Sequence, residues 1–188
     1  MDEIVDIACS RGVLRLRPER DDDLAFRFHL FCDSRPELAL LPLEPAARDQ
    51  LMQLQFRAQT MSYRAQFSQA RFDIIELDGV AIGRIVVDRS GTAVHIVDQA
   101  LTPQYRNLGL GSTIMRALMR EAGRAALSVC LMVSTTNDPS LRLYLRLGFV
   151  TVEVGPTHIE LEWRALRAVG ESRSSARGGP HDPYRKAL

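Results

Sequence analysis

The stretch RNLGLG, residues 106–111, sits inside ALTPQYRNLGLGSTIM (100–115). An apolar run ends at Leu101, a loop follows, and a helical repeat begins at Ile114 and continues through Leu118 to Ala122 or Ala125. The first N–H groups of a helix have no partner inside it, and the helix dipole lies behind them. Glycines at 109 and 111 leave that end open to close approach. The pattern describes an anion seat suited to a pyrophosphate. Two familiar glycine motifs do not fit. The dinucleotide fingerprint needs a glycine where Ile114 stands and an acidic residue about twenty positions on. A P-loop needs a terminal GK[ST] run, which the sequence lacks.

Working outward, LSVCLMVS (127–134) reads as a buried strand, so strand, helix and strand imply a parallel crossover. FDIIEL (72–77), VAIGRIVVD (80–88) and TAVHIVDQAL (92–101) form an antiparallel meander. Asp78-Gly79 and Ser90-Gly91 supply its turns. Earlier, Val13–Arg17 alternates as a short strand, and Asp21, Asp22 and Asp23 open a helix reaching Cys32. DSRPELALLPLEP (33–45) carries three prolines and reads as a loop long enough to be a lid. A long helix follows from Pro45 to Gln66. Leu51, Leu54, Ala58, Met61 and Ala65 make one apolar stripe, with Met52, Phe56 and Tyr63 beside it. The two stripes predict a wide buried face, part of which could line a substrate pocket or a homodimer contact. After the strand at 127–134, NDPSLRLYLRLGF (137–149) reads as a capped helix stopped by Gly148. Two last strands cover 149–154 and 158–163.

Composition narrows the function. At 188 residues, with 46% hydrophobic and 25% charged residues, the chain suits one globular domain. A formal net charge of +1 gives no support for binding nucleic acid or an acidic membrane as the main task. No apolar stretch approaches the ~20 residues a membrane span needs. Cys9, Cys32 and Cys130 show neither a CxxC pair nor histidines at zinc spacing, so no metal is expected, and so few cysteines suit a reducing cytoplasm. Residues 1–10 read as an N-terminal extension, 11–167 as the domain, and 168–188, rich in Gly, Ser and Arg, as a flexible tail.

The run ALTPQYRNLGLGSTIM, with Arg106, Gly109 and Gly111 on a [QR]-x-x-G-x-[GA] pattern, resembles the GNAT superfamily of acyl-CoA-dependent N-acetyltransferases. NDPSLRLYLRLGF is similar to a second element of that family through Asn137, Tyr144, Gly148 and Phe149, with Ser140 in place of the usual alanine. The resemblance covers about residues 11–165. It implies an α/β GNAT fold: a mixed, mostly antiparallel central sheet flanked by helices, with a splayed central parallel strand pair and a bulge in the first of the two strands. The implied reaction is direct transfer of acetyl from acetyl-CoA to an unidentified amine acceptor. The alternative is a non-catalytic acyl-CoA-binding sensor or assembly module.

The resemblance also implies site residues. Pantetheine would add along Ala100, Leu101 and Thr102, and the pyrophosphate would rest on the N–H groups of Asn107, Leu108, Gly109, Leu110, Gly111, Ser112 and Thr113, with Arg106 opening the loop. Asn137, Ser140 and Tyr144 share one helix face, which would look at the cosubstrate. Asn137 would bind pantetheine and Tyr144 would protonate the departing thiolate. A lysine-like amine, of pKa about 10.4, must lose a proton before it attacks. Period two places His95 and Gln99 on one strand face and Asp98 on the other. His95 is the favoured base and Asp98 the second candidate, although a strand histidine also fits a structural place. Arg142 and Arg146 could reach the cosubstrate's 3′-phosphate, but a solvated pair is the favoured reading.

Overall fold

The structure, a computed structural model, describes residues 4–165. The tail expected at 168–188 lies outside the described residues. Eight strands form one sheet in the order β1-β2-β3-β4-β5-β6-β8-β7. β1 (Val5–Cys9) and β2 (Gly12–Pro18) form a hairpin at one edge. The segment read as an N-terminal extension is therefore part of the sheet. Ile7 is buried while Asp6 and Ala8 are exposed, a period-two pattern that the acidic start of the chain obscures. Asp6 locks the hairpin by accepting two hydrogen bonds from Arg15 at 2.8 and 2.9 Å.

A single 3-10 turn at Asp21–Asp23 leads into α1 (Leu24–Asp33). Asp23 turns back to accept two hydrogen bonds from the Arg17 guanidinium, each at 2.7 Å. The expected lid loop contains a short helix, α2 (Pro36–Ala39). α3 spans Pro45–Gln66, as the sequence predicts, but its buried face is narrow. Phe56 packs on Phe28 and Phe31 of α1 at 5.5 and 5.7 Å between ring centres, and Met52 is buried. Leu54 and Met61 are 65% and 72% exposed. A helix resting with one side on α1 and the sheet can bury only one of two adjacent stripes, and the aromatic one wins.

The meander is β3 (Arg71–Leu77), β4 (Val80–Asp88) and β5 (Ala93–Leu101). Asp78 and Gly79 turn it with φ of 49° and 84°, the two left-handed residues a tight hairpin needs. After β5 come α4 (Leu110–Arg124), β6 (Ser128–Ser134), α5 (Asp138–Arg146), β7 (Val150–Val154) and β8 (His158–Arg164). β8 lies between β6 and β7. All neighbours are antiparallel except β5 and β6. α4 buries Leu110, Ile114, Met115, Leu118 and Ala122 in a core shared with Ile85 and Val87 of β4. α1 and α3 cover the other face.

Two irregularities in the centre shape the rest. Val86 pairs with Asp98 and Val87 with Ile96, so Val97 is an extra residue, a β-bulge. Parallel pairing of β5 with β6 stops at Ile96–Leu131, while β6 stays paired with β8 as far as Ser134–His158. From Val97 onward the two central strands part, as expected.

Gly83 explains how closely β4 meets β5 here. A Cβ at this position would run into the carbonyl oxygen of Ala100. Gly83→Val is expected to destabilise the domain by about 3 kcal/mol through overpacking. A thermal melt should show a fall on the order of 10 °C.

Candidate active site

The gap between β5 and β6 opens beside the N-terminus of α4. Gly109 caps that helix in the left-handed region, at φ 79°, and a Cβ there would have no neighbour within 4 Å. Asn107 is left-handed too, at φ 58°. Turns of this kind aim successive N–H groups into one concavity. Leu110, Gly111 and Ser112 occupy the first helical positions, whose N–H groups have no intrahelical acceptor. The amide of Thr113 is already engaged, donating to the Gly109 carbonyl at 3.0 Å. Arg106 is tied to the backbone: its guanidinium donates to the carbonyls of Leu101 at 2.8 Å and Asp33 at 3.1 Å. It thereby pins the end of α1 against the loop.

The strand residues divide by the same logic. Thr102 donates its N–H across to Ile82 at 2.9 Å. Neighbouring strand residues turn their peptide groups to opposite edges, so Leu101 and Gln99 present theirs to the gap and Ala100 faces β4.

The bulge changes which side chains share a face. Paired residues on neighbouring strands point the same way. His95, Asp98 and Ala100 pair with Asp88, Val86 and Arg84, so all six lie on the α1/α3 face. Gln99 goes to the α4 face, where its amide donates to Gly111 at 3.4 Å. Strict period two places His95 with Gln99 and opposite Asp98. The inserted Val97 reverses that pairing.

On the α1/α3 face lies a cavity of about 340 Å³. It is bounded by Phe31 and Arg35 near the end of α1, Phe56, Gln59 and Tyr63 of α3, Arg84 of β4, and His95–Ala100 of β5. Met132, Ser134, Asn137 and His158 close it across the gap. His95 is buried and packs edge-on to Phe67, with ring centres 5.6 Å apart. Asp98 lies 3.3 Å from Arg84, which also meets Glu19 at 3.4 Å. Burial pushes the Asp98 carboxyl above the usual carboxylate value, against the pull of Arg84 and Arg35. Burial, with Asp98 nearby, pushes the Tyr63 phenol up to about 12.

α5 contributes from the far side. Asn137 caps it, its side-chain oxygen accepting from the Ser140 amide at 3.2 Å, and it borders the cavity. Tyr144 is buried against Phe149, with ring centres 5.7 Å apart, and does not border the cavity. Burial first, then the Asp98 charge, pushes its phenol up to about 12. Arg142 and Arg146 are exposed. Arg35, Gln59, Tyr63 and Arg84 carry no motif, and only the fold brings them together. Among the described residues no group of His, Cys, Asp and Glu could hold a metal, and no helix is long and apolar enough to cross a membrane.

Comparison with known proteins agrees with this geometry. An N-alpha-acetyltransferase of Sulfurisphaera tokodaii is 33% identical over 100 residues, 46% of this chain. The match spans 60% of that relative's length. The PaiA N-acetyltransferase from Thermoplasma acidophilum, solved in complex with coenzyme A, superposes with a TM-score of 0.62 at 16% identity, covering 81% of this chain and 99% of that one. Mycobacterium smegmatis RimJ, in complex with CoA-disulfide, gives 0.61 at 16% identity, covering 86% and 87%. At such identities the likeness shows the fold. The sequence profile of the acetyltransferase (GNAT) family matches residues 37–149, more than half of the chain, and the protein belongs to that family.

Proposed function

We propose that the protein transfers an acetyl group from acetyl-CoA to a primary amine by direct attack, without a covalent enzyme intermediate. The observation that carries this reading is the parting of β5 and β6 at Val97, beside an open helix N-terminus. The residues present fit the cosubstrate. The amides of Leu110, Gly111 and Ser112 would hold the pyrophosphate, the Gln99 peptide groups and the Leu101 N–H would offer a strand edge to the pantetheine, and Asn137 would face it from the N-terminus of α5. Acetyl-CoA, when bound, supplies the thioester carbonyl that the amine attacks.

The chain's own side chains then manage protons. Asp98 faces the acceptor side of the cavity and is the group we assign to take the ammonium proton. His95, on the same face, is the alternative. Tyr144, with its phenol near 12, stays protonated throughout the working range, and we assign it the hydrogen bond to the leaving thiolate, which it would have to reach from behind the cavity wall on the α5 side. A thiol pKa of about 8.5 means that the thiolate needs stabilising rather than full protonation.

Thiol release from acetyl-CoA across a panel of amines tests the reading. Tyr144→Phe keeps the ring packing on Phe149 and should lower kcat about tenfold, below the usual range for an acid because the leaving group is good. Tight acetyl-CoA binding with no release for any amine would instead mark a non-catalytic binding module.

A further inference from the structure

The cavity's charge is unbalanced. Three guanidinium groups, those of Arg27, Arg35 and Arg84, border it, with one carboxylate, that of Asp98. Arg27 is engaged behind the wall by Glu19 at 3.0 Å. Arg84 is shared between Glu19 and Asp98. Arg35 differs from both. It lies in the connection between α1 and α2, its guanidinium sits over the Phe31 ring at 5.4 Å, and its Nε is buried without a hydrogen-bond partner. Among the described residues no carboxylate pairs with it. A buried, unpaired donor is unfavourable until something accepts from it. A guanidinium held over an aromatic ring presents a planar fork suited to a carboxylate.

We propose that the acceptor is a small primary amine that also bears a carboxylate, an amino acid in chemical class, with Arg35 holding the carboxylate and Asp98 facing the amine. This rests on the acetyltransferase reading above. Excess positive charge draws in an anionic group and disfavours a polyamine. Phe31, Phe56 and Tyr63 offer an apolar wall to the body of the molecule. A cavity of about 340 Å³ that must also admit a thioester leaves room for an acceptor of amino-acid size.

Matched amines test the assignment. Acetylation rates are compared within three pairs: phenylalanine and phenethylamine, leucine and 3-methylbutylamine, lysine and cadaverine. A tripeptide amide with a free N-terminus serves as a further acceptor. The expected result is a kcat/KM at least tenfold higher for the carboxylated member of a pair, with that ratio collapsing to below about threefold in Arg35→Gln and partly restored in Arg35→Lys. Equal or better use of the decarboxylated partner or of the peptide amide overturns the proposal, as does a ratio unchanged by Arg35→Gln. If no amine is acetylated, the transferase reading fails on its own, and calorimetric titration of the amino acids into the protein with CoA decides the carboxylate seat. Binding lost in Arg35→Gln keeps it, and no binding overturns it.

Discussion

Asp98→Asn should lower kcat/KM for the amine by 100-fold or more, the range that loss of a positioned base produces. The substitution keeps the side chain's shape, and Arg84 retains Glu19 as a partner, so the fold should survive. The sign of the pH dependence follows from the carboxyl's environment. Burial raises its pKa above the usual value. Activity should therefore rise with pH as Asp98 loses its proton, with an acid limb above the ordinary carboxylate range. In the Asn variant that limb should vanish, leaving only the amine's own titration. A pH profile of both proteins checks this, with a melting curve to confirm folding. An Asn variant within twofold of wild type would remove Asp98 from the reaction and leave His95→Ala as the next substitution to measure.

Gly109→Asp should raise the Kd for CoA about 100-fold, equivalent to about 2.7 kcal/mol, because it sets a carboxylate where a pyrophosphate would rest. Gly109→Asn is the paired control, expected to raise Kd about tenfold by obstruction alone. Both residues tolerate the left-handed conformation that Gly109 adopts. Their side chains would start in open space, so melting temperature should stay within a few degrees. Valine is a poorer probe, since a β-branched residue at φ 79° is strained whatever it binds. Calorimetric titration with CoA gives both constants. The gap between Asp and Asn should narrow as salt is raised, because part of it is screened. Equal affinity for all three proteins would remove the helix N-terminus from the cosubstrate site.

The elements that follow local rules were readable in the chain. Asp78-Gly79 announced its hairpin, Pro45 its helix, and RNLGLG with NDPSLRLYLRLGF the helices α4 and α5, with Gly109 and Asn137 at their N-termini. What was hidden depends on contacts far apart in sequence. The bulge at Val97 has no local signature, because valine is as good in a regular strand as in an irregular one. Every face assignment beyond it was accordingly inverted, Asp98 among them. The stripe of Leu54 and Met61 carries the period of a buried face, but burial is decided by how much surface the neighbouring elements offer. Arg35 reads as one charge in a proline-rich loop, and only the folded chain sets it over Phe31 beside the cavity.

The carboxylate of Glu19, 3% exposed, receives Arg27 from α1, Arg64 from α3 and Arg84 from β4. It acts as a common datum for three parts of the molecule. Both helical walls of the cavity are surveyed from one point just past β2, α1 through the buried Arg27 and α3 through Arg64, whose side chain is half-exposed. Removing one partner of the buried Arg27 pair should cost about 3–5 kcal/mol. The segment 34–43 lies outside this frame and borders the cavity through Ser34 and Arg35, so it can be rebuilt without disturbing the pairs that Glu19 makes.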